Sequence, residues 1–386
     1  MIPPRVYLDH NAATFPYPEV LEEMAHVQRA YPGNPSSLHR EGREARGRLD
    51  EAREKIASLL GALPTEILFT SGATEANNLA LRGSRRPRTM GPRFLAVSSI
   101  EHPSVGTCAR SLAADGHRVE FLPVDSSCRL KLDEFEACLA RGPELVSVMA
   151  ASNETGTLQP VEHVARRCRE AGVLFHVDAT QVFGRESFDL SRVPADYLSA
   201  SGHKIHGPRG IGILVRRGRV PLSALFAGGH QELGFRPGTE NVAAAAGFAC
   251  ALELVTRRLA ERRVHLAELR LALLASLREV SPELILNGDS KETLPNTLNV
   301  RFPGLSAETL VLSLDLEGIA VSSGSACSSG AIEPSNTLLA MGLSKRAALS
   351  SLRLSLEEDL TPEELARTAS AFRRVLERLR GRNVRT

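Results

Sequence analysis

Apolar and polar positions fall into two rhythms along this chain. Apolar runs of five or six residues occur at 66–70, 94–98, 119–123, 145–150, 173–177, 195–200 and 211–215, and they read as strands. Between the first five of them, positions 73–81, a stretch opening near Ser104, 133–140 and 161–171 repeat at helical spacing. Strands alternating with helices predict an α/β domain around a mostly parallel sheet. Upstream, Ala45, Leu49, Ala52, Ile56 and Leu59 share one face of a helix whose other face carries Arg and Glu, and Gly61 stops it. Beyond Thr239 a helical stretch runs with few breaks to about Val280 and leads into a second unit, with strands at 297–300 and 320–322. Thr361-Pro362-Glu363-Glu364 opens the last helix with a capping box and a proline at its first position. Leu365, Phe372, Val375 and Leu379 form that helix's apolar stripe.

Composition narrows the picture. At 386 residues the chain exceeds what one core usually holds, so two domains are expected. Hydrophobic content of 42% and charged content of 24% are ordinary for a soluble globular protein, and a net charge of +2 argues against a dedicated nucleic-acid binder. The opening MIPPRVYLDH lacks the build of a signal peptide, and the longest low-charge run, 242–255, contains Glu253 and is too short to span a bilayer. Six cysteines form no C-x-x-C pair and no disulfide-like framework, which fits a reducing cytoplasm. Five of them read as small buried hydrophobes. Cys327 is the exception: it sits in the small-residue run 322–330, whose composition suggests a mobile loop with an exposed thiol.

The candidate chemistry collects at strand ends, where ligands bind in open α/β sheets. Ser201-Gly202-His203-Lys204 lies between two apolar runs, so its lysine sits on a strand-to-strand loop. Lysine chemistry needs such a partly buried amine, because desolvation lowers its pKa and frees the nucleophilic form. Thr70-Ser71-Gly72-Ala73-Thr74 joins a strand to a helix and reads either as a phosphate cradle or as an ordinary glycine turn; it is not a P-loop. His102, in Glu101-His102-Pro103, is a ligand-facing ring or a bystander. Asn153-Glu154-Thr155-Gly156 is a polar site loop or a plain turn. Asp178, which follows the 173–177 run, suits a metal, a helix cap or a cationic ring nitrogen. Arg353 interrupts an apolar segment and suits either a substrate carboxylate or a structural ion pair. Pyridoxal phosphate needs a set of this kind: a lysine, an acid for the pyridinium nitrogen and an anion site.

With these residues assembled, the chain resembles the cysteine desulfurases, pyridoxal-phosphate enzymes of the class V aminotransferase fold. TSGATEANNLAL, EHPSV, SNETG, HVDATQ, SGHKIHGPRGIG, RPGTEN and SSGSACSSG carry the resemblance in family order, from Tyr7 to the C-terminal helix. It implies a fold type I transferase: a large domain, 15–255, with a mostly parallel seven-stranded sheet, and a smaller α/β domain, 1–14 and 256–386, carrying the Cys327 loop. It also implies that Lys204 holds the cofactor as an internal aldimine and shuttles the Cα proton, with Asp178 facing the pyridine nitrogen, Gln181 the ring hydroxyl and His102 stacked on the ring. Ala73, Thr74, Ser201 and His203 would hold the phosphate, joined by Thr239 from the partner subunit of a homodimer. Arg353, with Asn34 and Asn153, would bind the substrate carboxylate, Asn153 serving the cofactor as well.

On this resemblance L-cysteine is the substrate, alanine the product, and Cys327 takes the sulfur as a persulfide for a protein acceptor. Iron–sulfur assembly and thio-modification of tRNA or DNA all fit, with no direct nucleic-acid contact and no membrane. No resident metal is implied, although Cys327 suits transient ligation of an iron–sulfur cluster held with a partner. The last helix is not followed by the extended tail through which housekeeping members engage an iron–sulfur scaffold, which leaves the acceptor open. Two positions depart from the family pattern: Ala13 replaces a usual threonine, and His230 a common glycine, which puts the local loop shape in question. A selenocysteine lyase, an ordinary class V aminotransferase and a non-catalytic sulfur or metal carrier are the competing readings.

Overall fold

The computed structural model describes residues 5–85, 91–323 and 333–383. The chain opens with β1 (Val6–Tyr7), α1 (Pro18–Ala30) and α2 (Arg40–Leu60). The alternating region supplies β2 (Ile67–Thr70), α3 (Ala73–Gly83), β3 (Phe94–Ser98), α4 (Pro103–Ala114), β4 (Arg118–Leu122), α5 (Leu132–Leu139), β5 (Leu145–Met149), α6 (Val161–Ala171), β6 (Leu174–Asp178), β7 (Tyr197–Ser201) and β8 (Gly212–Arg216). After α7 (Val242–Arg257) and α8 (Leu259–Val280) come β9 (Ile285–Asn287), β10 (Thr297–Arg301), α9 (Ala307–Leu316) and β11 (Ile319–Ala320). The short helices α10 (Asn336–Ala340) and α11 (Lys345–Ala348), then β12 (Ser351–Ser355) and α12 (Pro362–Asn383), complete the chain.

Seven strands form one sheet in the order β2-β8-β7-β6-β5-β3-β4. Only β8 opposes the rest, since both of its pairings are antiparallel and all others are parallel. The mostly parallel sheet expected from the sequence is therefore the sheet observed. Every residue of β5, β6 and β7 is buried, which is why these strands read as unbroken apolar runs. Within that burial the period of two persists. Phe69, Ala96, Val146 and Ile213 face a core shared with α1, α2, α6 and α7, whereas Leu68, Leu95, Leu145 and Leu214 face α3 and α4.

Ala45, Leu49, Ala52 and Ile56 of the α2 stripe are buried and Leu59 is partly so, and the helix ends at Gly61 with φ 66°, where the Gly61 N–H bonds the carbonyl of Ala57. Glu66, expected to begin a strand, instead closes a 3₁₀ turn, Pro64–Glu66. Its carboxylate accepts the Leu63 and Gly218 amides at 2.9 and 2.6 Å, so a polar residue serves the turn rather than the sheet. The long helical stretch after Thr239 is two helices, parted at Arg258, whose φ of −104° and ψ of 9° leave the helical region.

A second core forms where α8, α9 and α12 cover the antiparallel sheet β12-β10-β9. Phe302 and Phe372 stack in it with ring centroids 5.7 Å apart. Val6 and Leu8 belong to this core because β1 pairs with β11, more than three hundred residues downstream (Val6↔Ile319). Among the described residues no helix is long and apolar enough to cross a membrane.

Candidate active site

The carboxyl ends of β2, β3, β5, β6 and β7 open on one rim of the large sheet, and the predicted site residues follow from them. Asp178 is the last residue of β6, in register with Met149 of β5 and Ser199 of β7. It is buried, and its Oδ2 accepts from the Asn77 side-chain amide at 2.8 Å while Oδ1 accepts from the Thr180 amide at 3.0 Å. Two donors on an otherwise enclosed carboxylate fix its direction.

Lys204 closes a single 3₁₀ turn, Gly202–Lys204, directly after β7. Its Nζ donates to the carbonyls of Asn11 and Ala12, the latter at 2.8 Å, so the turn at the chain's start receives the amine. Burial pushes the Lys204 amine down to about 7, helped by the positive charges of Arg353 and Arg185 and opposed by Asp9 and Asp178. A lysine in that range exchanges its proton near neutrality, which nucleophilic and proton-transfer chemistry require.

His102 caps α4: its Nδ1 accepts from the Ser104 amide at 3.1 Å and meets the Ser104 hydroxyl at 2.8 Å. Burial lowers its pKa, the Lys204 charge adds to that, and Asp178 opposes it. His203 is held down to about 4 by burial and by the charges of Lys204 and Arg209. Beneath them Glu101 Oε1 accepts the Met149 amide at 2.6 Å, and burial followed by Asp178 raises its pKa well above the carboxylate range.

The 70–74 loop meets the end of β7. A Cβ on Gly72 would stand 3.8 Å from Ser201 Oγ, and one on Gly212 would stand 2.6 Å from the Gly72 backbone. That approach is open only to glycine at 212, and it sets Ala73 and Thr74, the first two residues of α3, beside Ser201. Gln181 is buried with its amide nitrogen on the Asn11 carbonyl at 3.1 Å and its Oε1 accepting from Arg185 at 2.7 Å.

Arg353 lies on β12, at the edge of the second core. Its guanidinium donates to the Asn153 carbonyl at 2.9 Å and pairs with Asp9 at 2.7 Å, while its Nε is buried without a hydrogen-bond partner among the described residues. The Asn153 carbonyl also accepts from Asn11 at 3.3 Å. Arg353 and Ser322 exchange both backbone hydrogen bonds, at 2.7 and 3.1 Å, so the chain leading toward Cys327 starts beside the arginine. Cys327 itself lies outside the described residues. Asn34 is exposed and accepts from the Ser36 amide at 2.9 Å, and Thr239 is exposed; neither hydrogen-bonds to the Lys204 rim among the described residues.

Of the other five cysteines four are buried and Cys250, expected to be buried too, is half-buried; burial raises the pKa of all five thiols, to about 12 for Cys128 and about 11 for Cys138, which disfavours the thiolate. His230 does not have a positive φ, so its backbone does not need glycine; the left-handed residues of that loop are Glu232, Leu233 and Gly234.

Sequence reasoning overlooked Asp9, Asn11, Asn77, Arg185 and Glu101 as parts of the site. Asn77 left a signal: it is a polar residue on the helix face of Ala76 and Ala80, where burial demands a partner. Asp9 and Asn11 left none, since their partners are remote in sequence.

The donor set fits pyridoxal phosphate. A desolvated amine, a buried carboxylate directed by two donors and a glycine-tight helix start with Ser201 converge on one rim, and buried Glu101 Oε2 and Thr180 Oγ1 there lack hydrogen-bond partners among the described residues.

The family model for class V aminotransferases matches residues 6–367. A cysteine desulfurase of Nostoc sp. is 40% identical over 375 residues, covering 97% of this chain and 94% of its own. Among solved structures, a NifS-like protein superposes with a TM-score of 0.90 at 39% identity, covering 97% of this chain and 99% of its own. SspA, solved in complex with cysteine, gives 0.78 at 32% identity, covering 92% and 99%. This chain belongs to the class V aminotransferase family, within its cysteine desulfurases.

Proposed function

We propose that the chain removes sulfur from L-cysteine, releasing L-alanine and leaving a persulfide on Cys327 that passes to a protein acceptor. The observation that carries this reading is the Lys204 amine, pushed down to about 7 on the rim that also holds the Asp178 carboxylate. Pyridoxal phosphate, when bound, supplies the electron sink that lets the substrate's Cα give up a proton.

The chain's own residues do the rest. Lys204 Nζ would hold the cofactor and carry the Cα proton, while Asp178, directed by Asn77 and the Thr180 amide, would face the ring nitrogen. His102 would stack on the ring and Gln181 would meet its hydroxyl. Ala73, Thr74, Ser201 and His203 take the phosphate at the start of α3, and Thr239 joins them from a second copy in a homodimer. Asn153 would serve cofactor and substrate alike. Arg353, with Asn34, takes the substrate carboxylate, exchanging part of its present hold on Asp9 for it. The Cys327 thiolate then attacks the substrate sulfur, and the bond from sulfur to the substrate's Cβ breaks. Residues 15–255 would form the cofactor domain, and 1–14 with 256–386 the domain that brings Arg353 and Cys327 to it.

Mass spectrometry of the purified protein after L-cysteine tests the reading. One added sulfur on the peptide containing Cys327 is expected, lost on addition of a thiol acceptor and absent from Cys327→Ser. Sulfide release at the unsubstituted rate from Cys327→Ser would overturn it.

A further inference from the structure

A buried carboxylate behind the rim has no part in the chemistry above. Glu357 follows β12, the strand of Arg353, and it is 4% exposed. Its Oε2 accepts from His206 Nε2 at 2.8 Å, and its Oε1 accepts from Arg262 of α8. His206 follows the Lys204 turn, is itself 4% exposed, stacks on Tyr17 with centroids 4.2 Å apart, and holds the Phe15 carbonyl through Nδ1 at 2.9 Å.

Between Glu357 and the rim runs the turn that receives the lysine. The Thr14 amide and hydroxyl both donate to the His203 carbonyl at 2.9 Å, and Thr14 Oγ1 accepts from the His206 amide at 2.8 Å. On the other side the Asn11 amide donates to Ser355 Oγ at 2.9 Å, and the Asn11 carbonyl accepts from Lys204. Residues 10–14 are thus pressed between β12 and the Lys204 turn, and the Glu357–His206 contact clamps the two from behind. Arg262 adds a second tie, from its Nη1 to the Gly184 carbonyl. A buried anion with two cationic or polar donors around it holds direction as well as charge, because none of its partners can turn to water instead.

We infer that Glu357 is a positioning residue that, through His206, sets the spacing between the Lys204 amine and the Arg353 guanidinium, and thereby the fit of an α-amino acid across them. This rests on the functional reading above, because it is the substrate's amine and carboxylate that must span the two groups.

The test compares Glu357→Gln, which keeps size and loses charge, with Glu357→Asp, which keeps charge and shortens the reach. Both are loaded with pyridoxal phosphate and held at a temperature where circular dichroism shows them folded. L-Alanine, which has the same amine and carboxylate but no sulfur, is titrated while the cofactor's absorbance is followed. The dissociation constant is expected to rise about tenfold in both variants, with the KM for L-cysteine rising alongside it and kcat changing by less than about threefold. Variants that melt at lower temperature yet keep the unsubstituted dissociation constant would overturn the inference, since a purely structural carboxylate does that. If Glu357→Gln fails to fold, the same two readings on Glu357→Asp decide. An unsubstituted protein that gives no absorbance response to L-alanine would instead overturn the functional reading, and the inference with it.

Discussion

The rim of the large sheet and the edge of the second core are built on opposite principles. Lys204 and Asp178 each stand where a fully buried strand ends, so local sequence aims them. Arg353 is aimed by partners 200 and 344 residues away, the Asn153 carbonyl and Asp9. The first region takes its direction from strand register, and contacts across the fold, such as the Asn11 and Ala12 carbonyls on Lys204, then hold it. The second depends on contacts between segments remote in the chain, Asn153 and Asp9 on Arg353. On the proposed function, a site divided in this way would hold the cofactor on the first region and the substrate's carboxylate on the second.

Substitution at each half should therefore fail differently. Lys204→Ala is expected to abolish the covalent cofactor signal and lower turnover by about 10⁴-fold or more, with the fold intact. Absorbance spectroscopy and borohydride reduction check it, and the reading is clean because the chain contains few other lysines. A retained covalent signal would remove Lys204 from the site. Arg353→Ala is expected to leave the cofactor in place and raise the KM for L-cysteine by about 10–100-fold, the value of a charge-assisted pair lost to substrate. Equal losses of cofactor and cysteine binding would make Arg353 a purely structural partner of Asp9 and end the proposed division.

How much of this was readable in the sequence follows the same division. The seven strands, the mostly parallel sheet and the rim loops were legible, most clearly for β5, β6 and β7, where burial on both faces writes an apolar run that stops at a polar rim residue, as at Val177 before Asp178. Boundaries slipped where a polar side chain served a turn, as Glu66 does, or where two helices met without a glycine or proline, as at Arg258. Lys204 and Asp178 were visible from their neighbours. Asp9, Asn11 and Arg185 were not, because their meaning lies in pairings that only the folded chain makes: Asp9 with Arg353, Asn11 with Lys204, and Arg185 with Gln181. The Glu357–His206 clamp, spanning 151 residues, escaped for the same reason. Gln181 and His102 were assigned through family resemblance, and their own residue types carried little.

The smallest expected effect is a stability difference that separates the two halves by pH. Folding lowers the Lys204 amine from its ordinary 10.5 to about 7. Between those values the unfolded chain holds a proton that the folded chain lacks, so raising the pH through this window removes an advantage of the unfolded state. Stability contributed by this group therefore rises from pH 7 to about 10.5, and below pH 7 the penalty is full and constant. In cofactor-free protein, Lys204→Met should relieve that penalty. Its melting temperature relative to the unsubstituted protein should be higher at pH 7 than at pH 10.5, by about 2–5 °C. The corresponding difference for Arg353→Ala should run the same way but be smaller, because the guanidinium keeps its charge throughout and acts in this window only through its share in lowering the Lys204 amine, behind burial. Calorimetry of the three proteins at matched salt measures both. A Lys204→Met difference that does not change with pH would mean that the amine is solvated in the free protein, and that the rim does not prepare its lysine before the cofactor arrives.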